Sequence, residues 1–158
     1  MKLNFLERIN VKLVLTQCLY GFLLIFAFAL IGLINDIELV NLAEEKGVKE
    51  AIKQIDSTRI TKFQIWLQFM PLIGILIATV ISSVVFFKRN LFWLNSIFVF
   101  IGLLLFNYFG FFRLDYIKYI ADLMNLGLVI NVILSSSILI IIAFGLYYYS
   151  YRISKNEN

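Results

Sequence analysis

The sequence has no histidine, one cysteine and one proline among 158 residues, and only 15% of its residues are charged. Histidine is the commonest metal ligand and the usual general acid or base near neutral pH, so its absence removes most catalytic and haem-binding designs. The single Cys18 can form neither an intramolecular disulfide nor a zinc framework. We therefore expect no enzymatic activity, no metal site and no cofactor.

Apolar residues are abundant instead, at 61% of the chain, against about 45–50% in ordinary globular domains. A chain of this length cannot bury so much apolar surface, so the excess must face lipid. Four stretches without any charged residue reach the roughly 20 residues needed to cross a bilayer; they are about 13–34, 63–87, 91–112 and 126–149. The sequence therefore predicts an all-α integral membrane protein, a single transmembrane domain over 1–158 that forms a four-transmembrane-helix bundle.

Only Lys88, Arg89 and Asn90 separate the second stretch from the third. One helix running through both would be about 75 Å long at 1.5 Å per residue, more than twice the roughly 30 Å hydrocarbon core. It would also carry two cations into that core. A tight turn leaves both cations among the headgroups instead, so the sequence predicts a hairpin here.

The distribution of charge predicts the orientation of the chain. Each side of the predicted membrane carries seven Lys and Arg residues, but the two tails and the hairpin net +5, whereas the first and third loops net −1. The cations of the tails and hairpin also lie close to the spans, where they influence orientation most. We therefore expect both termini in the cytoplasm, and the overall charge of +4 indicates contact with anionic lipid rather than nucleic acid. A high content of Ile, Phe, Lys and Asn is typical of AT-rich coding genomes and indicates a bacterial source, in which case the membrane would be the inner membrane.

Amphipathic helices are predicted in two loops. In the first loop, Val48, Ala51, Ile52 and Ile55 follow the i, i+3, i+4, i+7 spacing of one helical face. This pattern predicts a helix over about 37–55, broken or bent at Gly47, and a second interfacial helix is predicted over about 114–125. The apolar face of the first helix either packs on the headgroups and the end of the bundle or docks a partner.

Small residues mark the sites where membrane helices touch. In the second span Gly74, Ala78 and Ser82 recur every four residues, and Gly102 and Gly127 are further candidates for packing in the third and fourth spans. Among the uncharged polar residues within the spans, the candidates for a polar interior are Gln17, Gln68, Asn95, Asn107, Asn131 and Ser135. Such residues either form hydrogen bonds between helices or line a polar cavity or pore.

The spans contain no ionisable Asp, Glu, Lys, Arg or His, which ion-coupled transporters normally keep within the membrane. We therefore expect a small polytopic protein that is a non-catalytic accessory, regulatory or structural subunit of a membrane complex; an immunity or defence protein is one such kind. It would contact the lipid bilayer and bind a membrane-protein partner or another copy of itself. The alternative is a homo-oligomeric channel or pore-forming protein with an uncharged polar interior.

Overall fold

The computed structural model describes residues 11–86, 92–108 and 127–156. Within these ranges every residue is helical except Gly47, Ile55, Asp56 and Gly127. The helices are α1 (Val11–Leu33), α2 (Ile37–Lys46), α3 (Val48–Gln54), α4 (Ser57–Phe86), α5 (Phe92–Tyr108) and α6 (Leu128–Asn156), and a short 3₁₀ helix (Ile34–Asp36) joins α1 to α2. The predicted hairpin turn at 88–90 and the predicted helix over 114–125 lie outside the described residues.

Three of the helical segments are long and apolar enough to cross a membrane, and they cover Val11–Ala43, Ser57–Val84 and Leu128–Arg152. A shorter apolar segment, Ser96–Tyr108, lies within α5. The described chain is therefore all-helical with three candidate membrane-spanning helices. Helix α4 continues beyond its candidate segment to Phe86, and α6 continues beyond its own to Asn156.

Helix α1 is the centre of the assembly, since it packs against α4, α5 and α6. Of its apolar stretch 56% is buried, against 33% for α4 and 28% for α6. One cluster of buried side chains includes Leu13, Tyr20 and Leu24, and a second includes Leu30 and Val132. A helix enclosed on several sides needs apolar residues around most of its circumference, which is what α1 has.

The pairing of α1 with α4 fixes their relative direction. A methyl group built on Gly21 would lie 3.2 Å from the Cβ of Ala78, and one built on Gly74 would lie 2.9 Å from the Cα of Ile25. The residue numbers rise along α1 while they fall along α4, so the two helices are antiparallel.

The contacts of α5 and α6 with α1 fix the directions of these two helices in the same way. The rings of Tyr20 and Tyr147 are 6.1 Å apart, and Leu24 and Ala143 line one small cavity, so α6 is antiparallel to α1. The rings of Phe22 and Phe106 are 4.0 Å apart, and Gly102 faces Cys18, so α5 runs parallel to α1. Helices α1 and α5 thus point one way and α4 and α6 the other.

Large apolar side chains cover the outward faces of the bundle. In α4 the exposed ones are Ile65, Trp66, Phe69, Leu72, Leu76, Val80 and Val84. Continuous apolar surfaces of this kind are rarely left in water, so this face needs lipid or another protein to cover it.

Candidate functional site

The segment between α1 and α4 folds into two short helices, which we call the arm (residues 37–55). Gly47 separates α2 from α3 and has a φ of 82°, a left-handed conformation that glycine adopts at little steric cost. The sequence predicted one helix bent or broken at this glycine, and the structure has two helices that meet there.

The base of the arm is closed by an ion pair between residues 23 positions apart. Arg59, in the first turn of α4, donates from Nε to Oδ2 of Asp36 and from Nη2 to Oδ1, both at 2.6 Å. The same Nη2 donates to Oε2 of Glu38 at 2.8 Å. Asp36 also caps α2, because its Oδ1 accepts the backbone N–H of Leu39 at 3.1 Å.

The ion pair shifts the pKa values of Asp36 and Arg59 in opposite directions, and both shifts favour the charged forms. The hydrogen bonds from Arg59 lower the pKa of Asp36, against a smaller opposing effect of burial. The two carboxylates, Asp36 first, raise the pKa of Arg59 above its ordinary value. The Asp36 side chain is only 10% exposed, whereas that of Arg59 is 44% exposed. The bidentate geometry therefore holds the start of the arm on the start of α4.

An apolar groove with a volume of about 240 Å³ lies between the arm and the end of the bundle. We call it the arm groove. Its walls are the apolar side of α2 and α3, Leu33 at the end of α1, Phe63 and its neighbours in α4, and Leu128 at the start of α6. Among the described residues, Gln64 is the one polar residue that lines it.

The four residues predicted to dock a partner, Val48, Ala51, Ile52 and Ile55, all line this groove. Their exposure differs: Ala51 is 2% exposed, while Val48 is 63% and Ile52 is 49% exposed. Ala51 is therefore buried in the wall of the groove, where it packs α3 against its neighbours. Val48 and Ile52 are the exposed apolar pair beside the groove.

The predicted packing stripe of α4 faces α1. Ala78 and Ser82 are 0% exposed, and Gly74 is buried against the backbone of α1. Gly102 makes ordinary contact, since a methyl group there would lie 3.5 Å from Sγ of Cys18. Gly127 is exposed, and among the described residues nothing lies within 4 Å of a methyl group added there. Its carbonyl accepts the first-turn N–H of Asn131.

The predicted polar interior is only partly brought together. Gln17, Asn131 and Ser135 are buried, and Asn107 is half-buried. Gln68 is exposed on the outward face of α4 with Ile65 and Leu72, apart from the buried members of the set. The side chain of Asn95 lies outside the described residues.

The buried members of this set also lie at two different levels. Extending the pairing of α1 with α6 places Ser135 beside Gly32 and Gln17 beside Ser150. Positions 17 and 32 of α1 are about 22 Å apart at 1.5 Å per residue. These residues therefore do not line a single compact cavity.

Two features of the site escaped sequence reasoning. The Asp36–Arg59 pair joins distant positions, although Asp36 directly before α2 carries the signal of a helix cap. The arm groove exists only once the arm folds back on the bundle. In the described ranges no group of three or more Cys, Asp or Glu side chains is placed to hold a metal ion. Comparisons with protein-family models, curated proteins and solved structures found no match to this chain.

Proposed function

We propose that this protein is a four-pass protein of the cell membrane that acts as a non-catalytic accessory or regulatory subunit of a membrane complex. Its three long apolar helices support a membrane location, and the alternating directions of α1, α4, α5 and α6 support four passes. The basic tails and hairpin support an orientation with both termini in the cytoplasm. The arm groove then opens on the outer side of the membrane.

The observation that carries the proposal is the exposure of Val48 and Ile52 beside the arm groove. Both are apolar residues, one helical turn apart, on a helix whose other positions include Lys49, Glu50 and Lys53. Two neighbouring apolar side chains next to an open apolar groove are the arrangement by which a groove accepts the apolar face of another helix. We assign this surface to a membrane-protein partner.

The arm is held in one position before any partner binds. The ion pair of Asp36 with Arg59 links the start of the arm to the start of α4, and the buried Ala51 packs α3 against its neighbours. A preformed surface loses less conformational entropy on binding than a flexible one. The proposal therefore requires that weakening the arm also weakens the complex.

Photo-crosslinking from the arm tests this proposal in the native membrane. A photoreactive amino acid at position 52 should crosslink to one discrete membrane protein, whereas the same group at position 54, on the charged side of α3, should not. Ile52→Glu should remove co-elution of that protein in mild detergent. Gln54→Glu is the matched control, because it adds the same charge and should leave co-elution intact.

Two results would reject the accessory role. One is a photoproduct at position 52 that contains only lipid. The other is a chain that elutes as a monomer in mild detergent from its native membrane, with or without Ile52→Glu. A photoproduct made of two copies of this chain would replace the partner with self-association.

The alternative function is a homo-oligomeric channel, and the exposed Gln68 is the observation that favours it. This amide stands on the apolar outward face of α4, where self-association would cover it and could place it along a pore. Reconstituted protein should then conduct ions, and Gln68→Leu should alter the conductance. Silent bilayers at both voltage polarities would reject this alternative.

A further inference from the structure

One face of α4 carries exposed, uncharged polar side chains at the end of the helix next to the arm. They are Ser57, Thr61, Gln64 and Gln68, and we call them the polar stripe. At 100° per residue all four lie within about 60° of one another around the helix axis. Gln68 lies about 9 Å beyond Lys62 along α4, at 1.5 Å per residue. With the membrane location proposed above, the stripe leads from the water boundary into the apolar part of the bilayer.

The same face of α4 is buried further along the helix. Pro71 and Ile75 continue the spacing of the polar stripe, three and seven residues after Gln68, and both are buried; Ile75 is 1% exposed. The face therefore changes at Pro71 from exposed and polar to buried and apolar. Packing within one copy of the chain covers the apolar part of this face and leaves the polar part open.

The depth of Gln68 makes its exposure costly. Lipid tails cannot form hydrogen bonds, so an amide that faces them loses the hydrogen bonds it makes in water. Uncharged polar side chains of membrane helices commonly regain such bonds by pairing with a second helix. Ile65 and Leu72 border the stripe and are 61% and 37% exposed, so they offer apolar surface on which a helix can pack. The polar stripe therefore has the composition of a contact with a helix outside this copy.

We infer that the polar stripe binds the polar stripe of a second copy of this chain, in a two-fold dimer in which the Gln64 and Gln68 amides of the two copies form hydrogen bonds with each other. The spacing of four, three and four residues keeps the stripe facing a helix that runs alongside. Two copies inserted in the same orientation carry Gln68 at the same depth, and a two-fold contact brings each residue close to its counterpart. Because an amide both donates and accepts and the stripe carries no charge, two identical stripes complement each other.

This dimer goes beyond the accessory role, which concerns the arm, and it rests only on the proposed membrane location. It also differs from the channel alternative, because one pair of helices cannot enclose a pore. The dimer joins two copies whichever protein the arm binds.

Disulfide crosslinking of the full-length chain in its native membrane tests the contact while both amides are kept. In a Cys18→Ala background, mild oxidation should convert most of Thr61→Cys into a covalent dimer. Ile130→Cys is the matched control, because Ile130 is 53% exposed at the start of α6, near Leu128, which lines the arm groove together with Phe63. It should stay monomeric. No dimer from position 61, or equal dimer from both positions, would overturn the proposal.

Alkaline extraction of the same membranes separates this result from the membrane location. A chain that alkaline buffer releases is not integral to the membrane, and both the location and the dimer are then rejected. A chain that stays in the membrane without forming the dimer rejects the dimer alone.

Energy transfer between donor-labelled and acceptor-labelled copies in lipid vesicles measures the strength and the size of the assembly. Gln68→Leu should weaken dimerisation by about 3- to 30-fold, the range of effect of hydrogen bonds between uncharged side chains in membranes. Gln68→Asn keeps an amide and should lose less. Gln54→Leu is the matched control, because it removes an exposed amide from the charged side of α3, and it should leave dimerisation unchanged.

Two results of this measurement would contradict the dimer. One is a Gln68→Leu variant that associates as strongly as the unmodified chain. The other is a curved dependence of transfer efficiency on the fraction of acceptor-labelled copies at constant total protein, since a dimer gives a straight line and a larger oligomer does not. The crosslink at position 61 decides the contact even where Gln68→Leu fails to fold.

Discussion

A single methyl group added at Gly74 should force α1 and α4 apart. The Cβ of an alanine at this position would lie 2.9 Å from the Cα of Ile25 and 3.2 Å from the carbonyl oxygen of Leu24. Carbon atoms in good contact are about 3.5–4.0 Å apart. The atoms that would have to move are backbone atoms of the central helix, so the clash cannot be relieved by turning a side chain.

The size of the effect follows from a matched pair of substitutions. Replacing glycine by alanine inside a helix stabilises it by up to about 1 kcal/mol, and overpacking a tight contact costs about 1–3 kcal/mol. Gly145 lies in α6 with open space around it, so Gly145→Ala has the helix gain without the clash. Because that gain cancels between the two variants, Gly74→Ala should be less stable than Gly145→Ala by about 1–3 kcal/mol, or about 5- to 150-fold in the unfolding equilibrium.

Equilibrium unfolding in mixed micelles, by titration with a denaturing detergent, measures this difference directly. Gly74→Ala and Gly145→Ala should be compared at the same lipid and detergent composition, with the unmodified chain as reference. Equal stabilities for the two variants would show that α1 and α4 do not meet at Gly74, and the pairing of these helices would then have to be redrawn.

Two further predictions concern the arm and the central helix. Asp36→Asn keeps a capping side chain but loses the charge that pairs with Arg59, so it should lower the thermal unfolding temperature at pH 7, and Asp36→Ala should cost about 1 kcal/mol more. Because the folded-state pKa of Asp36 is lowered, its carboxylate stabilises the fold fully above the ordinary pKa of about 3.9, and this stabilisation is lost as the pH falls through the folded-state pKa. If the unmodified chain is still more stable than Asp36→Asn by the full amount at about pH 2, the ion pair is contradicted. Tyr20→Phe should cost about 0.5–1.5 kcal/mol, since it removes the hydrogen bond to the carbonyl of Ala78. Tyr148→Phe is the control at an exposed position, and it should leave the free energy of unfolding unchanged.

The features that the sequence predicted well are those set by local composition. The apolar stretches around Gly21, Gly74 and Gly145 are long helices, as expected of about twenty apolar residues without a charge. The stripe through Gly74 and Ala78 was a reliable sign of close packing, since only small residues let two helix backbones approach. The break of the arm at Gly47 had an equally local cause.

The features that the sequence could not predict depend on how the helices are assembled. Gly127 was predicted to pack, but no described residue lies within 4 Å of a methyl group added there, and Gln68, predicted for the polar interior, is exposed on α4. Apolar residues surround every span, so the periodicity does not tell a lipid-facing side from a buried one. The central position of α1 and the pairing of Asp36 with Arg59 likewise emerge only from contacts between distant segments.

The four-pass arrangement is the central claim, and site-directed labelling in intact cells tests it most directly. Single cysteines at positions 4, 49, 89 and 158, in a Cys18→Ala background, should be probed with a maleimide that cannot cross the membrane. Position 49 should react in intact cells, and positions 4, 89 and 158 should react only after the membrane is opened. Reaction of position 89 from the same side as position 49, with both termini protected, would contradict the arrangement.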